Sequence, residues 1–147
     1  MQFVGRSNRR LGELLAGVSV AIVAAGCGSG GEQGAITQTV KGYLSALANG
    51  NGAMACSELT GAEARQFLDY VAQQDPQLIP TSCSEAISTL SGSLGGDETA
   101  KLRNAQLTGI AVTGQSARAH VVGGTTTVHL SKAGGRWYIS GGLTGGG

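Results

Sequence analysis

The sequence predicts an α+β fold in which N-terminal helices pack on a curved antiparallel sheet of about four strands. Between residues 35 and 94 the apolar residues recur every three or four positions, which is the spacing of amphipathic helices. After about residue 104 apolar and polar residues alternate, as they do in half-buried strands. Glycines separate the alternating runs, so we expect tight turns that join the strands into a meander.

The first residues of the chain have the properties of an export signal. Arg6, Arg9 and Arg10 precede an apolar run over residues 14–25, and small residues lead directly into Cys27. The run is too short for a membrane span, which needs about 20 residues. This arrangement resembles a bacterial lipoprotein signal. The resemblance implies that the chain is cut before Cys27 and that a lipid on Cys27 anchors the exported protein to the outer face of the bacterial cell membrane. An ordinary signal peptide with a chance cysteine is the alternative.

Four segments are therefore expected along the chain. Residues 1–26 form the signal peptide, residues 27–34 a flexible tether, residues 35–141 one α+β domain and residues 142–147 a Gly-rich tail. Removing 26 of the 147 residues leaves 121, which is enough for one modest core. Ten Lys and Arg stand against nine Asp and Glu. No basic stripe is present, so we expect no nucleic-acid partner.

Helices are expected over the first half of the domain. The first spans about residues 35–49 and a short second helix about residues 53–59. The sequences TGAE at residues 60–63 and SCSE at residues 82–85 each match the capping box, in which paired side chains satisfy free amides at a helix start. These two helices continue to about residues 74 and 94, where Asp75-Pro76 and Gly95-Gly96 stop them.

Cys56 and Cys83 are predicted to form a disulfide. They are the two cysteines of the chain's three that remain once Cys27 carries lipid. Disulfides persist in an oxidising export compartment, and a small domain with few aromatic residues gains much from one. A pair of buried free thiols is the alternative. A metal site would need further ligands at suitable spacing, so no metal is expected.

Four strands are expected, near residues 105–112, 116–122, 126–132 and 136–140. Two-residue turns are expected at Gly114-Gln115, Gly124-Thr125 and Ala133-Gly134. With these turns Ala119 lies opposite Leu130, Leu130 lies opposite Trp137, and the apolar residues share the face toward the helices. A one-residue slip would reverse the faces of a strand, so this agreement supports the pairing order. The other face then carries a row of three neighbouring side chains, His120, His129 and Tyr138.

Three segments of the domain carry a family resemblance. They are VKGYLSALANGNG at residues 40–52, CSELT at residues 56–60 and VHLSKAGGRWYI at residues 128–139. They resemble the opening helix, the short second helix and the closing hairpin of the nuclear-transport-factor-2-like superfamily. The resemblance covers about residues 35–140 and is closest to small actinobacterial lipoproteins of unassigned function. It implies a cone-shaped α+β fold with Trp137 under the core. The superfamily includes isomerases, dehydratases and polyketide cyclases as well as non-enzymatic binding and assembly modules, so the fold alone does not choose a function.

The sequence offers no convincing catalytic residue. An enzyme of this fold would hold a carboxylate or histidine inside the cone as a general acid or base. The predicted concave face has no titratable side chain, and Asp69 and Tyr70 on the third helix are weak candidates because Asp69 is expected on the exposed side. No cofactor is expected either. The one G-x-G-x-x-G match, at residues 26–31, is divided by the predicted cleavage.

The sequence thus favours a surface-tethered, non-catalytic binding or assembly module. Such a module could hold a small apolar ligand in the cone or form a homodimer through the outer face of the sheet. The candidate protein-contact residues on that face are Leu107, His120, Val122, His129 and Tyr138. An ordinary solvated face is the alternative for these residues. An isomerase- or dehydratase-like enzyme of the same fold is the alternative function.

Overall fold

The computed structural model describes residues 29–144. Five helices come first: α1 (Ser29–Ala48), α2 (Gly52–Ser57), α3 (Gly61–Gln74), α4 (Cys83–Ser93) and α5 (Gly96–Arg103). Four strands follow: β1 (Leu107–Thr113), β2 (Ser116–Val121), β3 (Thr127–Ala133) and β4 (Arg136–Gly141). The strands form one sheet in chain order, with every neighbouring pair antiparallel. The predicted α+β fold with a closing meander is therefore confirmed.

α1 begins at Ser29, six residues before the predicted start. Residues 29–34, which the glycines had marked as a flexible tether, are helical, and this part of the prediction is wrong. Glu32 lies in the first turn, where a negative charge favours the helix dipole, and it forms an ion pair with Lys132 on β3. This contact joins residues 100 positions apart, so local sequence cannot reveal it. Cys27 and the predicted signal peptide lie outside the described residues.

The helix starts at Thr60 and Ser82 are confirmed. The hydroxyl of Thr60 accepts a hydrogen bond from the N–H of Glu63, and the hydroxyl of Ser82 accepts one from the N–H of Glu85, both at 3.2 Å. Neither glutamate completes its capping box. Glu85 instead accepts hydrogen bonds from the backbone N–H and the hydroxyl of Thr81, which lower the pKa of Glu85. Glu63 turns into the protein interior.

α5 is an element that the apolar periodicity does not predict. It has no buried residue, so it leaves no apolar stripe in the sequence. Its signal is the order of its charges, which are acidic in the first turn and basic in the last, as the helix dipole favours. The side chain of Arg103 donates a hydrogen bond to Asn49 Oδ1 at 2.7 Å, which joins the end of α5 to the end of α1.

The predicted disulfide between Cys56 and Cys83 is confirmed, and it joins α2 to α4. The Cα atoms of the two residues are 6.2 Å apart, within the range that a disulfide spans. The two helices also approach closely at Gly52. A Cβ atom at Gly52 would lie 2.1 Å from the carbonyl oxygen of Ser84, so the packing of α2 on α4 requires a glycine there.

The strand pairing agrees with the prediction in its faces but not in all of its partners. The turn at Gly114-Gln115 is confirmed. Ala119 lies opposite Val128, and Leu130 lies opposite Ile139, so both later pairings differ by two residues from the predicted ones. The predicted turns at Gly124-Thr125 and Ala133-Gly134 are therefore wrong, because the connections are residues 122–126 and Gly134-Gly135. A register shift of two residues keeps each side chain on the same face of the sheet, so the apolar face has the predicted residues.

The predicted position of Leu107 on the outer face is wrong, because β1 contains a β-bulge. The register with β2 shifts between Thr108 and Ala111, and Gly109 has a φ of +60° there. An extra residue in a strand reverses the faces of the residues before it. Leu107 consequently lies opposite Val121 and packs against the core, so it does not belong to the outer face.

The core lies between one face of the sheet and the helices. It contains apolar residues from α1, from the shorter helices and from β2 to β4, with Ile36, Val40, Ala119, Trp137 and Ile139 among those that are almost wholly buried. Trp137 is thus a core residue, as predicted. The segment before α3 protects the free edge of β4, because the N–H of Thr60 donates to the carbonyl of Ile139 and the N–H of Ile139 donates to the carbonyl of Glu58, both at 2.8 Å.

Candidate functional site

The outer face of the sheet does not carry the predicted row of side chains. His120 lies opposite Thr127, and its Nδ1 is 3.0 Å from the hydroxyl of Thr127. His129 lies opposite Arg118 instead, and Tyr138 lies opposite Ser131. The two-residue shifts in the pairing of β2 with β3 and of β3 with β4 separate the three side chains.

One expected property of that face also changes, because the bulge in β1 places Leu107 inside. Arg118 is exposed and lies opposite His129 on this face. Val122 is 55% exposed and is the large apolar residue that remains of the five candidates. Within residues 29–144, no three His, Cys, Asp or Glu side chains are grouped so that they could hold a metal ion.

The structure brings Glu63 into the interior, where sequence reasoning placed no titratable group. Its side chain is 1% exposed. Oε1 accepts a hydrogen bond from the N–H of Leu143 at 3.4 Å, while Oε2 has no hydrogen-bond partner among the described residues. The sequence pattern of a capping box had suggested that the side chain of Glu63 bonds to the start of its own helix, and not that it is buried. The signal that could have found it is the buried stripe of α3, since Glu63, Phe67 and Val71 follow one another at intervals of four.

Tyr43 on α1 is the other buried titratable group in this region. Its side chain is 2% exposed. Burial raises the pKa of Tyr43 far above its ordinary value, and the negative charge of Glu63 raises that pKa further. Tyr43 therefore stays protonated, as a hydroxyl. A carboxylate and a phenol could in principle move a proton, but a substrate reaches neither side chain while both are covered.

Asp69 and Tyr70 do not form a buried acid or base. Both are exposed on α3, as expected for Asp69. Tyr70 instead lines a groove of about 290 Å³ between α3, α4 and the loop that joins them. Val71, Leu78 and Leu90 form the apolar part of this α3–α4 groove together with Tyr70. Gln74, Asp75, Thr89 and Ser93 add polar groups to its lining.

Apolar side chains continue beyond the α3–α4 groove. Ile79 is 79% exposed, and it lines an adjoining cavity of about 250 Å³ that shares Val71 and Leu78 with the groove. Leu78 itself is 38% exposed. Among the described residues, this region combines an open concave surface with exposed large apolar side chains, which is the usual composition of a binding site for an apolar molecule.

Comparisons of the chain with protein-family models, with curated proteins and with solved structures found no match. The resemblance to the nuclear-transport-factor-2-like superfamily therefore stays a prediction. Among the described helices, none has both the length and the hydrophobicity to cross a bilayer.

Proposed function

We propose that the protein is an exported lipoprotein, anchored through Cys27 to the outer face of the bacterial cell membrane, which acts as a non-catalytic binding module. The α3–α4 groove is the observation that carries the proposal for binding. It exposes Leu78 and Tyr70 to solvent, and apolar surface of this kind is stabilised when a ligand or partner covers it. The Arg-rich start and the small residues before Cys27 support the anchor.

The space between the helices and the sheet, which is the interior of the predicted cone, is a less suitable ligand site than the groove. Ile36 and Val40 of α1 have no exposed surface, and Ala119 and Ile139 of the sheet have none either. These side chains occupy the space that a ligand in the cone would need. The groove has about 290 Å³, which is near the lower end of the range for small-molecule sites. We therefore assign it a small apolar ligand about the size of one or two rings.

Homodimer formation through the outer face of the sheet has weaker support. A stable interface buries about 800 Å² on each partner. With Leu107 inside and Arg118 exposed on this face, Val122 offers little apolar area. A dimer through this face would also have to pair or hydrate the charge of Arg118.

An isomerase- or dehydratase-like enzyme is the second candidate function, and the buried carboxylate of Glu63 is the observation that favours it. A carboxylate held away from water is suited to general acid-base work. Here the carboxylate accepts the N–H of Leu143, and both it and Tyr43 are covered. Catalysis would require the segment around Leu143 to move away. We therefore rank this candidate second.

Titration with 1-naphthylamine, a neutral two-ring fluorophore whose emission responds to the polarity of its surroundings, tests the groove. We expect saturable binding that Leu78→Glu weakens at least about tenfold, because the substitution puts a charge beside the apolar walls. Val122→Glu is the matched control, since it makes the same change at an exposed apolar residue on the sheet side of the domain. No saturable binding, or equal weakening in both variants, would contradict the groove. Binding that responds to Glu63→Gln and not to Leu78→Glu would instead favour the enzyme.

A further inference from the structure

The start of α1 and the two tight turns of the sheet lie at the same end of the domain. The turns are Gly114-Gln115 and Gly134-Gly135, and they are neighbours because the N–H of Lys132 donates to the carbonyl of Gln115 at 2.8 Å. Glu32 in the first turn of α1 pairs with the side chain of the same Lys132. We call this the turn end of the domain, defined by the two turns and the first turn of α1.

The opposite end holds the other sheet connection, residues 122–126. The N–H of Val122 donates to the carbonyl of Gln106 at 2.8 Å, just before β1 begins. Asn49, directly after α1, accepts a hydrogen bond from Arg103 in the same stretch of chain. We call this the loop end. The six residues of β2 connect the two ends, and at about 3.4 Å per residue they separate them by about 20 Å.

The proposed lipid would attach very near the turn end. α1 begins at Ser29, two residues after Cys27. Two residues of extended chain span at most about 7 Å, so the first turn of the helix lies close to whatever holds Cys27. The eight-residue tether that composition suggested would have reached about four times as far. The length of chain between the anchor and the folded domain therefore restricts where the domain lies.

We propose that the domain rests directly on the membrane, with the turn end against the lipid headgroups and the loop end pointing away. This inference rests on the proposed lipid at Cys27. The turn end is compatible with a headgroup layer because its turns are small and polar and its basic side chains are paired. Lys132 pairs with Glu32, and Arg136 pairs with Glu58 at 2.9 Å. With these charges balanced, the covalent anchor sets the orientation, and attraction to anionic lipid contributes little.

Fluorescence quenching by a nitroxide on the lipid headgroup measures this orientation, because the nitroxide quenches only those fluorescent labels that lie close to the membrane surface. Gln115→Cys and Thr125→Cys place one label in an exposed connection at each end of the sheet. Cys56 and Cys83 are bonded to each other and do not react with the label. The lipid-modified variants, which begin at Cys27, are labelled with bimane and reconstituted in vesicles of phosphatidylcholine and phosphatidylglycerol with a nitroxide on the phosphatidylcholine headgroup. We expect at least about threefold stronger quenching at Gln115→Cys, because about 20 Å separates the two ends.

The results of this experiment distinguish a failure of the proposed orientation from a failure of the proposed lipid anchor. Protein that floats with the vesicles but shows equal quenching at the two positions, or stronger quenching at Thr125→Cys, overturns the orientation and leaves the anchor intact. Protein that does not float with the vesicles overturns both. Lipid-free protein from the Cys27→Ser variant, labelled at the same two positions, gives the background quenching, which we expect to be small and equal at both.

Discussion

The carboxylate of Glu63 accepts a hydrogen bond from the backbone N–H of Leu143 at 3.4 Å. This contact joins the first turn of α3 to the chain directly after β4. Residues 142–147 were expected to form a Gly-rich tail, yet Leu143 packs against the core. The buried glutamate therefore has a structural partner, and the end of the sheet is held to the helical part of the domain both at Ile139 and at Leu143.

Glu63→Gln should leave the free energy of unfolding within about 1 kcal/mol of the original value or raise it. The amide keeps an acceptor for the N–H of Leu143 and brings no charge into the interior. Glu63→Ala should lower the free energy of unfolding by about 2–4 kcal/mol, because it removes the acceptor and leaves a cavity. Urea denaturation followed by circular dichroism measures both. A glutamine variant as unstable as the alanine variant would show that the negative charge itself is required.

Tyr43 should make the domain lose stability at high pH. Burial and the charge of Glu63 raise the pKa of Tyr43 in the folded state, so the unfolded chain loses this proton first as the pH rises. The contribution is fully present below about pH 10, the ordinary tyrosine pKa, and above it falls by up to about 1.4 kcal/mol per pH unit. Tyr43→Phe should lack this component. Urea denaturation of both proteins at about pH 9 and pH 11 tests the difference, and equal losses would contradict it.

Removal of the disulfide should cost about 3–4 kcal/mol of stability in the chain-entropy account, since the bond closes an interval of 27 residues. The double variant Cys56→Ala/Cys83→Ala is compared with the oxidised protein by urea denaturation. The original protein in the presence of a reductant serves as the control and should resemble the double variant. An unchanged midpoint in both cases would mean that the contacts between α2 and α4 need no covalent support.

Gly52→Ala and Gly92→Ala should change stability in opposite directions. At Gly52 the new methyl group would lie 2.1 Å from the carbonyl oxygen of Ser84, so α2 and α4 must move apart. We expect this substitution to lower the free energy of unfolding by several kcal/mol. At Gly92, inside α4, it would meet no atom within 4 Å, and alanine should raise stability by about 0.5–1 kcal/mol. Thermal unfolding of the two variants measures both effects. A Gly52→Ala protein as stable as the original would refute the close approach of these helices.

Local signals in the sequence predicted the elements well, and non-local contacts account for most differences. Thr60 and Ser82 marked two helix starts because a capping hydrogen bond involves neighbouring residues. The alternation of strand residues predicted which face each side chain occupies. It did not fix the pairing partners, because a register shifted by two residues gives the same faces. The bulge at Gly109 moved Leu107 inward, and no feature of the apolar pattern reveals an extra residue in a strand.

The candidate site was harder to predict, for the same physical reason. Tyr70 and Leu78 line the same groove because the chain folds back between α3 and α4, and Leu78 belongs to the connecting loop, which has no periodicity. Glu63 was visible as a member of the apolar stripe of α3, but the capping box offered a competing interpretation of the same residue. The pairing of Glu32 with Lys132, which accompanies the early start of α1, depends on the complete fold.

The attachment of lipid to Cys27 is the central claim of this account, since both the proposed function and the proposed orientation depend on it. Mass spectrometry of the N-terminal peptide, prepared from the membrane fraction of a bacterial host, tests it directly. We expect a peptide that begins at Cys27 and carries a diacylglycerol group on the cysteine sulfur, and we expect Cys27→Ser to abolish this peptide. A peptide that retains residues before Cys27, or one in which Cys27 is unmodified, would contradict the account.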